Sequence, residues 1–414
     1  MSVDDAPSSD GDLVVRFAAK GDGVTIDGRH VAGVVPGDRV APDGTIEAGR
    51  HHVAPPCRHF ERCGGCQLQH ADEQALAEFV QARVEGAARG QGLDIGEMLS
   101  THLSPPRSRR RATLHGLRTA KGAVLGFREG GSHRIVDMHE CPVLDPALFA
   151  LVAPLRAFIA DHGGKAGIDV ALATCDQGVD VGLSHLPFDN LDATETALAF
   201  AQAHDLARLT VDQGYGPEGV WEPEPATISL SGVPVTLAPG AFLQATPDAE
   251  ARMTGDACEW LDGANKIVDL FSGLGTFAFA LARGAGRDRK LLAVEADQAT
   301  HRAAQEAFRF ASPRMNAALY AIHRDLFRNP LQAGELGNFD AVVLDPPRAG
   351  AKAQIAQIAA SSIERVVYVS CNPSSWARDA ATLAEAGYAL ERLRPIGQFR
   401  WSTHVELSSL FVRR

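Results

Sequence analysis

Several groups able to do chemistry stand where the chain leaves short apolar runs. Asp269 follows "KIV" and leads into "LFSGLGTF", Glu295 closes "LLAVE", Asp345 closes "FDAVVLD", and Cys371 follows "ERVVYVS". Ionised, a thiol is a nucleophile, and a carboxylate is a base or an acceptor for hydroxyls. Gly273 and Gly275, just after Asp269, would let the backbone approach a ligand at the start of a helix, where negative charge is favoured. Glu295 comes about twenty residues later, the distance at which a strand-end acid takes both hydroxyls of a ribose. Together they specify an adenosine-type ligand, either a dinucleotide or S-adenosylmethionine. The stiff "DPP" loop at Asp345 suits a site that must hold a planar ring, which a dehydrogenase does not need.

These groups need a frame that brings strand ends together. From about residue 242 the sequence alternates strand-like and helix-like segments, which predicts a doubly wound, largely parallel sheet. In such sheets ligands bind outside the carboxyl ends of the strands. The Asn372-Pro373 pair ends the last of these strands and turns the chain outward, so Cys371 is expected at that edge rather than as core filler. Upstream, residues 12–53 alternate short β-like runs with Gly-Asp, Asp-Gly and Pro-Gly-Asp turns, as a small antiparallel barrel would. The expected domains are 1–53, 54–240 and 241–414, the middle one a mixed α+β unit.

Composition narrows the class. The 414 residues are 45% hydrophobic and 22% charged, ordinary for a globular chain with a sizeable core. A polar, acidic N-terminus and the lack of a long apolar run predict a cytoplasmic protein with no membrane span or signal peptide. Net charge is −11, which argues against a general nucleic-acid coat. Yet between His102 and Arg134 eight Arg and Lys stand against Glu129 alone. Arg107, Arg109, Arg110 and Arg111 head that segment, which suits a directed contact with a polyanion or, equally on charge alone, a solvated strand edge.

Seven cysteines are poor material for disulfides in a cytosolic chain. Cys57, Cys63 and Cys66 form a C-x5-C-x2-C pattern, with Cys141 available as a distant fourth thiolate. Such a set suits tetrahedral zinc or an iron–sulfur cluster, and spacing does not separate them. Cys175 and Cys258 are expected to pack in the core, and His59 and His70 to be solvated.

"DLFSGLGTF", "DPPRAG", "SCNPSSWARD" and "STHVE", in that order, resemble the motif series of the S-adenosylmethionine-dependent RNA uracil-C5 methyltransferases. The resemblance spans nearly the whole chain, because residues 12–53 are similar to the TRAM domain, an RNA-binding barrel. It implies a Rossmann-like methyltransferase domain, Cys371 as the nucleophile toward uracil C6, and Glu406 as the base that removes the C5 proton. It also implies a cofactor site lined by Gln244, Phe271, Gly273, Gly275, Thr276, Glu295 and Asp345, with Asp325 near the adenine. The four clustered cysteines match members that modify 23S ribosomal RNA and carry a [4Fe-4S] cluster. That favours ribosomal RNA over tRNA, and the resemblance would make RNA phosphate the polyanion for Arg107, Arg109, Arg110 and Arg111. Separately, no protein partner is implied and a monomer is expected. Phe399 and Trp401 are candidates for holding a flipped strand. Thr276 stands where relatives often have Asn, and "GQFRWSTHVE" lacks the common Phe-Pro before the base. The competing readings are a tRNA uracil-C5 methyltransferase, a non-catalytic metal-containing RNA-binding protein, and a nitrogen methyltransferase that would leave Cys371 idle.

Overall fold

A computed structural model describes residues 12–283, 289–315 and 317–414. Five short strands from Asp12–Phe17 to Ile46–Glu47 form an antiparallel sheet. Its own core is Val14, Val34 and Val40, too little apolar surface to hold a unit of this size alone. The sheet therefore leans on its neighbours. Phe17 meets Phe79 edge-on at 5.6 Å, and buried Asp38 accepts from Val35 and Gly49 N–H and pairs with His52.

A six-stranded sheet spans Arg111–Thr119 to Pro217–Trp221. In its strand Ile168–Cys175, Ile168, Val170 and Leu172 point to one buried face while Ala171 and Ala173 point to the other, the period-two alternation of a half-covered strand. Helices Val152–His162 and Leu191–Ala203 cover the apolar face.

The C-terminal half builds a nine-stranded sheet. Strands Lys266–Leu270, Arg289–Glu295, Ala317–His323, Ala341–Leu344 and Arg365–Ser370 are mutually parallel, as the sequence predicts. Their residues are buried alternately on both faces: Val268, Val342 and Val366 on one side, Ile267, Val343 and Val367 on the other. The final strand, Glu406–Arg413, runs antiparallel between Arg365–Ser370 and Tyr388–Gly397. Strands Ile95–Met98 and His102–Leu103 join the same sheet beside Tyr388–Gly397, and helix Glu73–Gly90 packs into its core. Residues 73–103, expected in the middle domain, thus build part of the C-terminal sheet. Their apolar face complements the sheet, a non-local fit that no local pattern announces.

Candidate active site

Strand direction decides which residues meet. Lys266–Leu270 lies between Arg289–Glu295 and Ala341–Leu344, so the chain reverses its order there and the strand ends diverge to leave a crevice. Ser370 pairs with Leu407 in the antiparallel ladder. The next residues outward, Cys371 and Glu406, therefore face each other at the same edge. A crevice of about 1170 Å³ is lined there by Gln244, Phe271, Gly273, Thr276, Glu295, Asp345, Arg348, Cys371 and Glu406, and also by Arg109 and Arg111 from the middle of the chain.

Local structure holds these groups in place. Asn372 caps helix Pro373–Glu385 by accepting from Ser374 N–H, with Pro373 in the first turn. Its amide and the Ser375 hydroxyl both donate to the Arg348 carbonyl, pinning the "DPPRAG" loop beside Cys371. Gly350 has φ +79°, and a Cβ there would stand 2.6 Å from Asp379 Oδ2, so only glycine lets the loop close. Gly275 likewise lies under the Phe308 ring, where a Cβ would come within 3.0 Å.

In the cofactor half, Glu295 accepts from the N–H groups of Gly273, Ala296 and Asp297. Phe271, at φ +60°, stands 5.4 Å from Phe327. Phe327 is half exposed and lines the crevice; its sequence signal was only its position after a strand. The Asp325 carboxylate accepts from Phe327 and Arg328 N–H, closing its own turn, between Arg324 and Leu326, which line the crevice.

Burial dominates the electrostatics. It pushes the Glu406 carboxyl up to about 7, against hydrogen bonding from Gln398 and the charge of Arg111. Burial, with Glu406 and Asp345 nearby, raises the Cys371 thiol to about 11, opposed by Arg348. Asp345 is held well above the ordinary carboxylate range, first by burial and then by Glu406, and burial lifts Asp269 to about 8. All four shifts favour the protonated forms, and a positive charge close by would oppose them. Arg348, the cation opposing the rise at Cys371, is a residue of "DPPRAG" that sequence reasoning gave no role.

The basic segment divides. Arg107 is exposed. Arg109 lines the crevice, its guanidinium 5.6 Å from the Phe127 ring centroid and 5.3 Å from that of Phe399. Arg111 donates to the Leu243 carbonyl and lies over Phe242. Arg110 is a correction: it is buried, pairs with Glu250 and donates to the Gln244 carbonyl, so its charge is turned inward, away from any phosphate. Trp401 is also buried, its carbonyl accepting from Gln67 and Leu68 N–H, whereas Phe399 lines the crevice.

Cys57, Cys63, Cys66 and Cys141 line one small cavity with Phe127, Met138 and Arg109. Among the described residues, no three His, Cys, Asp or Glu are grouped to hold a single metal ion. Burial raises all four thiols, Cys66 to about 12. His70, expected in solvent, is buried with Nε2 toward the Val34 carbonyl, and His59 is half-buried at the cysteine cavity. Cys175 and Cys258 pack against the core.

Residues 235–414 match the family model described as tRNA (uracil-5-)-methyltransferase. An uncharacterized RNA methyltransferase of Zymomonas mobilis is 45% identical across 97% of this chain and 99% of its own length. The chain belongs to the RNA uracil-C5 methyltransferase family. Along 93% of the chain and 91% of its own length, the 23S rRNA (uracil(1939)-C(5))-methyltransferase of Tolumonas auensis is 31% identical. The solved tRNA (uracil-54, C5)-methyltransferase of Pyrococcus abyssi, in complex with S-adenosyl-L-homocysteine, shares the fold with a TM-score of 0.72 at 21% identity, covering 97% of this chain and 99% of that one. The protein is an S-adenosylmethionine-dependent RNA (uracil-5-)-methyltransferase with a mixed α/β methyltransferase fold. Among the described residues no helix is long and apolar enough to cross a membrane.

Proposed function

We propose that this enzyme methylates C5 of one uridine in 23S ribosomal RNA through a covalent adduct on Cys371. The observation that carries the reading is the apposition of Cys371 and Glu406 across the Ser370–Leu407 ladder, beside a crevice rimmed by Glu295 and Asp345. Uracil C5 is a poor nucleophile until something adds at C6. The Cys371 thiol gives its proton to solvent, favoured by Arg348, and as its sulfur bonds to C6 the C5–C6 double bond opens and its electron pair moves onto C5 and O4. S-adenosylmethionine, when bound, would supply the methyl group on a positively charged sulfur: the electron pair left on C5 takes the methyl carbon and the sulfur leaves as a neutral thioether, with Asp345 lining the crevice beside it. The C5 proton then passes to Glu406, the C5–C6 double bond re-forms, and the C6–S bond breaks to return the thiolate. A base inside folded RNA must leave its stack to reach this edge, with Arg107, Arg109 and Arg111 gripping the strand around it.

Ribosomal RNA is favoured by the full-length likeness to the Tolumonas enzyme and by the four-cysteine set. Those cysteines suit a [4Fe-4S] cluster because all four thiols, one buried and three partly buried, line one cavity together with Arg109, whose charge would offset theirs. The cluster would tie Cys57–Cys66 to Cys141, segments far apart in the chain. Residues 12–53 serve as a TRAM-like RNA-binding unit in this reading. A tRNA substrate is the second reading, favoured by the shared fold of the Pyrococcus enzyme.

Mass mapping of ribosomal RNA and tRNA from cells with and without the gene reads out the target. A lost 5-methyluridine in 23S RNA supports the proposal; one lost from tRNA replaces it. Cys371→Ala should lower methyl transfer at least about a thousandfold, and undiminished transfer would exclude the covalent route. Anaerobically purified protein should hold about four iron and four sulfide per chain, falling in a Cys66→Ser variant; zinc in their place would reject the cluster.

A further inference from the structure

We propose that Gln398 is a positioning residue that fixes the hydrogen-bond polarity of the base pocket, and thereby its choice of uracil over cytosine; this rests on the uracil-methyltransferase reading above. Gln398 directly follows strand Tyr388–Gly397, is 1% exposed, and lies behind the crevice lining. Side-chain amides can usually be turned end for end, because their oxygen and nitrogen are similar in size. Here the backbone removes that freedom. Ala245 N–H donates to Gln398 Oε1 at 2.9 Å, and of the two ends of a side-chain amide only the oxygen can accept that hydrogen. The Gln398 NH2 must then face the other way, where it donates to Gln244 Oε1 at 3.2 Å and hydrogen-bonds Glu406.

The constraint passes on. With its oxygen held by Gln398, Gln244 presents its NH2 outward, and one N–H donates to Asp345 Oδ2 at 2.8 Å. The amide has a second N–H, and Gln244 lines the crevice. The Gln244 side chain therefore presents a donor and not its oxygen to the crevice, beside the Asp345 carboxyl that takes its other N–H. Arg110 and Arg111 hold the same stretch from behind, on the Gln244 and Leu243 carbonyls, so the backbone cannot roll to compensate.

Uracil and cytosine differ in what they ask of such a wall. At position 4 uracil carries an accepting oxygen and cytosine a donating amine. Position 4 is bonded to C5, the reacting carbon, and Gln244 is chained through Gln398 to Glu406, the group facing C5. A fixed donor welcomes O4 and leaves the cytosine amine facing another N–H, unpaired in a buried place. If Gln244 were free to turn, its oxygen would serve cytosine equally well.

The test uses the full-length enzyme and two transcripts: the RNA in which it methylates one uridine, and the same RNA with cytidine at that position. The readout is the inhibition constant of the cytidine transcript against the KM of the uridine transcript. Gln398→Met keeps the volume and removes both hydrogen bonds; the preference for uridine should fall at least about tenfold while S-adenosylmethionine binding is kept. The acid limb of its pH–rate profile should also move up, because Glu406, beside Arg111, Asp345 and Cys371, loses a donor. Gln244→Glu probes the same polarity should Gln398→Met fold poorly, by presenting an accepting oxygen, and should shift binding toward the cytidine transcript. Wild-type methylation with unchanged preference in both variants overturns this inference alone. No 5-methyluridine from the wild-type enzyme on 23S RNA or tRNA transcripts overturns the functional reading together with it.

Discussion

In the proposed reaction Glu406 and Cys371 would set the pH behaviour, because each must be deprotonated to act as base and nucleophile. Glu406, raised to about 7, is a base only above that value, so the single-turnover rate should climb between pH 6 and 8. Cys371, raised to about 11, gains thiolate throughout that range, so the rate should show no alkaline fall of its own. Glu406→Gln should remove the inflection near neutrality. It should also trap RNA on the protein, since without a base the C5 proton stays and the C6–S bond cannot break. A slow-migrating protein–RNA band carrying the transferred methyl group would report this, and its absence would count against Glu406 as base.

At the scale of elements, the site depends on one loop being pinned to one helix. The "DPPRAG" loop is held by Asn372, Ser375 and Arg378, which all donate to carbonyls of Arg348 or Ala349. Asp379 accepts from Ala351 N–H and the Tyr368 hydroxyl at the same junction. Gly350→Ala would put a methyl group into Asp379 at a left-handed backbone position, displacing Asp345 and Arg348 from Cys371. A fall in kcat of about a hundredfold is expected, with a melting temperature lowered by only a few degrees. Calorimetry beside steady-state rates separates the two effects.

Across the whole molecule, the crevice is shared. Arg109 lines both it and the cysteine cavity, and the small-residue face of the central sheet, including Ala171, Ala173 and Gly182, closes the far side. RNA would thus enter between the central sheet and the methyltransferase sheet. Arg107→Ala should weaken RNA binding and reduce its salt slope by about one, as loss of a phosphate contact does. Arg110→Ala should leave that slope unchanged and destabilise the protein by about 2–3 kcal/mol, because it strands the partly buried Glu250 carboxylate and the Gln244 carbonyl. Salt-dependent binding and thermal unfolding of the two variants check the division; equal salt slopes for both would refute it.

The sequence alone determined the parallel sheet and its edge chemistry. The alternation of β-branched runs with helical periods fixes strand identity, and Gly, Pro and Asn at the strand ends fix where Asp345 and Cys371 emerge. Those signals are local, so they survive without a structure. Tertiary structure decided which like residues share a role. Arg107, Arg109, Arg110 and Arg111 read as one basic run, yet in a strand and its approach successive side chains point to different faces, and burial turned Arg110 inward to hold Gln244. Phe327 carried no motif, and it reaches the crevice because the turn after its strand closes on the Asp325 carboxylate. Gln398 carried no motif of its own. Its meaning comes from Ala245, a backbone N–H 153 positions away, and only folding brings that hydrogen to its oxygen.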